Sequence, residues 1–386
     1  MNDIKNMVKY ARNFFISSVI ATILSIPVAN AATEDETEFL KAAFSTKSET
    51  IKQLLEKGIN INYQNEMGFS ALIIASQYGH ADIVHLLLEK GANVDLKNAG
   101  GATALIIAAK NGHADVVTAL LAKGAQFDVQ TTDGITALML AIQKGHEGIV
   151  DALLAKGANI NLQTKDKVTA LMIAALEGRA SIVDKLLEKG AKIDVQASDN
   201  TTALYMAARN GHTAIVKTLL AKNAPIDLLA ANDTTALYIA AQGGYTDIVN
   251  ALLAKGAKID LKDKNDATAL TLAALMGNAD VAKALIKHGA QIDHKAANGF
   301  TPLILAAQNG HTPVIEILLE NNAQIDLQND DGITALMWAA LHDHVDAVKM
   351  LLAKGANSKI KSKTGKTAVE MTRDPAMIAV LQTATQ

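Results

Sequence analysis

A Thr/Ser-Ala/Pro-Leu triplet begins at Ser70, Thr103, Thr136, Thr169, Thr202, Thr235, Thr268, Thr301 and Thr334, and every interval is 33 residues. A degraded copy starts at Thr367, and a half-matching one at Thr37, again 33 residues ahead of Ser70. Eleven phases in one frame restrict the chain to an array of a single structural unit. Such units cannot bury an apolar face alone and pack only against their neighbours. A single globular core is also disfavoured by length, since 386 residues exceed what one core usually holds.

The unit can be derived from residues 98–130. Thr103 places a side-chain oxygen just before a helical run, the expected N-cap. Ala104 to Asn111 then form a first helix, and Gly112 ends it in the left-handed region. Asp115 lies in the first turn of a second helix, where its charge suits the helix dipole. Val116, Val117, Leu120 and Leu121 make the apolar stripe of that helix, Lys123 falls in its last turn, and Gly124 stops it. The rest of the period is polar and turn-rich, which suits an extended hairpin. The second glycine recurs through the chain and is replaced only by Asn223 and Asn322. Asparagine also tolerates a left-handed backbone, so conformation and not chemistry fixes that position.

This unit resembles an ankyrin repeat. The resemblance rests on the 33-residue period, the Thr-x-Leu triplet and the Gly-His pairs at Gly79-His80, Gly112-His113, Gly145-His146, Gly211-His212 and Gly310-His311. It covers about residues 34–386 and implies an all-α repeat solenoid of helix pairs with hairpin tips along one edge. It also implies that partners dock on the concave face made by the tips and first helices. Two departures stand out. The family's histidine after Thr-Pro-Leu is replaced by Ile73, Ile106, Met139, Met172, Tyr205, Tyr238, Thr271, Ile304 and Met337, a mostly apolar ladder that puts the rigidity of the tips in question. The tip glycine becomes Lys167, Asn200, Asp233 and Asp266 in four successive repeats.

The frame divides the chain into an N-terminal capping repeat at 32–64, nine repeats at 65–361 and a C-terminal capping partial repeat at 362–386. Residues 1–31 read differently. Lys5, Lys9 and Arg12 precede the apolar stretch Phe14 to Val28, too short for a comfortable membrane span, and Ala29 and Ala31 fit a signal-peptidase site. The expectation is a bacterial signal peptide cleaved after Ala31, leaving a periplasmic or secreted chain with no membrane segment; the alternative is a retained signal anchor. Removal of this segment, with its net charge of +2, would take the formal charge from −3 to −5.

Composition narrows the function. A pI near 6.4 gives no global attraction to nucleic acid. Cysteine is absent from the sequence, which removes thiolate catalysis, disulfides and Cys-based zinc sites. No P-loop, Rossmann, G-x-S-x-G or H-E-x-x-H motif is present. The repeated histidines recur at helix-packing spacing, roughly 8–10 Å apart, too far to share a metal. His342-Asp343-His344 with Asp346 is the densest cluster and reads as a repeat junction. The expectation is therefore a monomeric protein-binding module with no cofactor, no metal and no catalytic residue. Within that class stand an inhibitor or immunity-like partner, an effector and an envelope scaffold, with an enzyme as the competing class.

What the resemblance implies about contact positions selects Met67, Phe69 and Tyr78 at the N-terminal end and Lys144 and Arg209 in the middle. Toward the C-terminus it selects Leu275, Met276, Phe300, Ile333, Leu341 and His342. Exposed apolar side chains there would be interface candidates, although several of them could instead pack on adjacent repeats. Trp338 is expected in the core.

Overall fold

The computed structural model describes residues 33–383. The expected signal peptide at 1–31 lies outside these residues. The described chain holds 22 helices and no named strand, and it falls into two compact units that meet in sequence at Lys165 and Asp166.

In unit 1 the helices are α1 (Glu34–Phe44), α2 (Ser48–Glu56), α3 (Ala71–Tyr78), α4 (Ala81–Glu89), α5 (Ala104–Asn111), α6 (Ala114–Ala122), α7 (Ala137–Lys144) and α8 (Glu147–Ala155). Unit 2 begins with α9 (Ala170–Leu176), α10 (Ala180–Glu188), α11 (Ala203–Arg209), α12 (Thr213–Ala221), α13 (Ala236–Gly243), α14 (Thr246–Ala254), α15 (Ala269–Met276) and α16 (Ala279–Lys287). It continues with α17 (Pro302–Gln308), α18 (Thr312–Glu320), α19 (Ala335–Leu341), α20 (Val345–Ala353), α21 (Ala368–Met371) and α22 (Pro375–Thr383). Within each unit the first helices pack on one another, the second helices do likewise, and each first helix packs on its own second helix. The result is two layers per unit.

The layers follow from the sequence of each repeat. The Thr/Ser oxygen of the triplet accepts the amide three residues on, as Ser70 does from Ile73 and Thr136 from Met139. Each such cap is worth about 1 kcal/mol. First helices are apolar on almost every side, and in α5 all six residues from Ala104 to Ala109 are buried. Such helices must be covered on both flanks by neighbouring first helices. Second helices bury one stripe and leave the other side to water: α8 buries Ile149, Val150, Leu153 and Leu154 and exposes Glu147 and Asp151, with Lys156 exposed at its C-cap.

The hairpin tips are tied in a different way from that expected. The residues at the family's histidine position are buried, including Ile106, Met139 and Met337, and the apolar ones among them carry no group that could hydrogen-bond the tips together. A backbone ladder links them instead. Ala99 N–H donates to Met67 O at 3.0 Å, and Thr132 N–H to Gly100 O at 2.9 Å, in unit 1. In unit 2 the same 32-residue step joins Ser198 to Asp166, Ala231 to Asp199, Lys264 to Asn232, Ala297 to Asn265, Asp330 to Asn298 and Lys363 to Asp331. The two tyrosines add side-chain ties. Tyr205 Oη lies 3.2 Å from Thr234 Oγ1, and Tyr238 Oη donates to Asp263 Oδ2 at 2.7 Å. Burial, and then the bond to Asp263, push the Tyr238 hydroxyl well above the usual tyrosine range.

At the tips the left-handed backbone persists without glycine, with φ of +58° at Lys167, +60° at Asn200, +61° at Asp233 and +55° at Asp266. Asn and Asp carry a modest cost there, and Lys167 a larger one.

Candidate partner-binding faces

The Gly-His pairs build the geometry of the candidate face. His113 Nε2 donates to Gln77 O at 3.0 Å, reaching back 36 residues to the end of the preceding first helix. The same bond runs from His80 to Phe44 and from His146 to Lys110 in unit 1. In unit 2 it runs from His212 to Leu176, His311 to Leu275 and His344 to Gln308. Asn278 substitutes through its amide, donating to Gln242 O.

From His113 onward, each of these imidazoles also packs against the helix-ending glycine of the preceding repeat. A Cβ built on Gly112, whose φ is +83°, would lie 2.6 Å from His146 Cε1. Glycine is thus required by backbone and by neighbour at once.

Every one of those carbonyls belongs to the last turn of a first helix, so the histidines hold the backbone there and leave the side chains free to differ. The two positions involved read Phe44-Ser45, Gln77-Tyr78, Lys110-Asn111, Leu176-Glu177, Leu275-Met276 and Gln308-Asn309. A constant frame with divergent side chains is what a recognition surface requires.

In unit 1, Met67 is exposed at its tip and Lys144 is exposed at the end of α7. Tyr78 is half-buried. It meets Phe44 edge-on with centroids 4.9 Å apart and stacks on His80 at 6.0 Å. Phe44 is itself exposed and was not singled out in the sequence, because the first repeat matches the pattern only in part; its place one period before Gln77 was the available signal. Phe69 does not belong to this surface. It is only 3% exposed, since its N–H is held by Asn65 Oδ1 and its side chain turns into the core. Burial and the nearby Lys144 ammonium lower the Lys110 amine from its usual range.

In unit 2, Met276 and Leu341 are the most exposed of the large apolar residues, at 45% and 42%. Leu275 and Ile333 are half-buried, and Leu275 packs on the cluster of Tyr238, Ala267 and Leu272. Arg209 is half-buried. Phe300 is half-buried and tilts against Trp338 at 5.6 Å; Trp338 stacks on His342 at 5.3 Å, and His342 on His344 at 6.1 Å. Trp338 is therefore part of a ring series reaching the surface through exposed His342, and it is half-buried where full burial was expected. His342 Nδ1 also donates to Trp338 O at 3.1 Å, which fixes the imidazole over the indole. Leu229, 40% exposed at a hairpin, is a further apolar residue that sequence reasoning passed over.

Among the described residues no group of three or more His, Asp or Glu side chains is placed to hold a metal. No described helix is long and apolar enough to cross a membrane.

These features define a class: nearest-neighbour stacks of helix pairs whose framework is fixed by repeated bonds and whose surface residues vary. A family model of ankyrin repeats, built on three copies, matches residues 20–98, 39–133, 105–197, 171–263, 204–296, 256–329 and 322–380. The chain belongs to the ankyrin repeat family. No curated protein matches it. Ankyrin repeats are protein–protein interaction modules, typically without enzymatic activity.

Proposed function

We propose that this ankyrin array binds a protein partner through the face made by its hairpin tips and first helices, and that it does so in the bacterial envelope or outside the cell. The observation that carries the reading is the pairing of histidine-pinned backbone with divergent side chains at the ends of the first helices. Met67 in unit 1, and Met276 and Leu341 in unit 2, are large apolar side chains left exposed at tips or first helices, a feature of contact sites. Tyr78, Phe300, Ile333 and His342 contribute rigid contact area beside them, and Lys144 and Arg209 supply charge. The envelope assignment is supported by the sequence of residues 1–31. Within this reading the segments 32–64 and 362–386 cap the stack, and the chain is monomeric.

The test is affinity capture with the mature chain and with a Met67→Ser, Met276→Ser, Leu341→Ser variant. The variant keeps its helical circular dichroism and loses the partner by tenfold or more, since central apolar contacts each contribute about 1–2 kcal/mol or more. Undiminished capture by the variant means that the partner sits elsewhere.

A further inference from the structure

Two kinds of side-chain bridge join neighbouring repeats, and within the units each kind is interrupted at one and the same repeat. The outer bridge runs from an Asp or Asn oxygen to the amide 31 residues on. It joins Asp95 to Gln126 at 2.9 Å and Asp128 to Asn159 at 2.8 Å in unit 1. In unit 2 it joins Asp227 to Lys258, Asp260 to Gln291, Asp293 to Gln324 and Asp326 to Asn357. The residue 31 beyond Asp194 is Pro225, which has no amide hydrogen to give.

The inner bridge is the histidine bond described above. Where it should reach the carbonyl of Arg209, the histidine is replaced by Tyr245. That ring lies against Gly211 and Gly243, and its hydroxyl has no hydrogen bond among the described residues. Both gaps fall on the repeat of α11 and α12.

Two further observations concern the same hairpin, residues 224–234. Gln64, Gln130 and Gln328 each donate to a carbonyl in their own tip and to a second one 33 residues on. Gln196 makes only the first of these, to Asn200 O at 3.2 Å, and leaves Leu229 O unreached. The tip then turns through Asn232 and Asp233, both left-handed at φ +65° and +61°. The corresponding pair two steps further along the unit is Asn298 and Gly299, where glycine takes the second position without strain.

We infer that the repeat of α11, α12 and hairpin 224–234 is the weak joint of unit 2, the place where its stack opens first. Stability in such an array is local, so a repeat with fewer bridges on both sides opens at lower cost while the repeats beyond it stay folded. The joint gives the stack a place to adjust its packing without melting.

Amide hydrogen exchange followed by mass spectrometry on the full chain decides the matter. Each bridge carries a few-fold to about tenfold in the opening equilibrium. Protection in peptides from 203–221 and 224–234 falls below that in 236–254 and 269–287 by on the order of tenfold. Pro225→Gln with Tyr245→His supplies the donors present in other repeats and returns protection to the neighbouring level, leaving 269–287 unchanged. Equal protection in the parent chain overturns the inference. So does a Tyr245→His variant, which keeps Pro225 and so leaves the unfolded chain's freedom at that position unchanged, whose protection in 203–221 is no higher than the parent's.

Discussion

At the scale of single residues, the two glycines of each repeat have different duties although both are left-handed. Gly112 and Gly124 have nearly the same φ, +83° and +84°. A Cβ on Gly112 runs into His146, whereas one on Gly124 meets nothing within 4 Å. Gly124→Ala therefore carries only the backbone cost, about 1–2 kcal/mol. Gly112→Ala carries that cost and also displaces the imidazole from Lys110 O, adding about 0.5–1.5 kcal/mol for the lost bond. Urea unfolding of the two variants should show Gly112→Ala the less stable by about that difference. Equal losses would mean that the imidazole moves aside freely.

At the scale of elements, what could be read in the sequence was the part written in side chains at fixed phase. Thr103, Gly112 and Gly124 announced both helices of their repeat, and α5 and α6 begin and end where those residues place them. The bridges between repeats were much less legible, since one partner of each is a backbone atom that any residue supplies. The outer bridge has an Asp or Asn at one end, but its mate 31 residues on is a bare amide, and the 32-residue tip ladder leaves no mark on side-chain identity at all. The candidate face was legible as positions and only partly as exposure. Phe69 shows why: apolar character at a tip fits contact and core equally, and burial settles it. Phe69→Ala is expected to destabilise by about 3–5 kcal/mol as a large-to-small core change, while Met67→Ser two residues away stays within about 0.5 kcal/mol as an exposed site. Comparable losses from both, measured by thermal or urea unfolding, would contradict the division of that tip into a buried and a free residue.

At the scale of the whole molecule, the bonds that repeat explain why a chain with few aromatics holds a long array. Each joint adds its own backbone rung, side-chain bridge and buried stripe, and nothing requires contact between distant repeats. The same economy separates support from recognition. Second helices bury a stripe and expose charges such as Asp280 and Lys283 on α16, while the ends of first helices carry the apolar exceptions, Met276 on α15 among them. A photo-crosslinking residue placed at 276, and in a parallel variant at 283, tests the central claim directly, because both sites are exposed and lie in consecutive helices of one repeat. Binding by the first-helix face yields a stoichiometric partner adduct from position 276 and none from 283. An adduct from 283 with none from 276 would place the partner on the opposite layer and contradict the account.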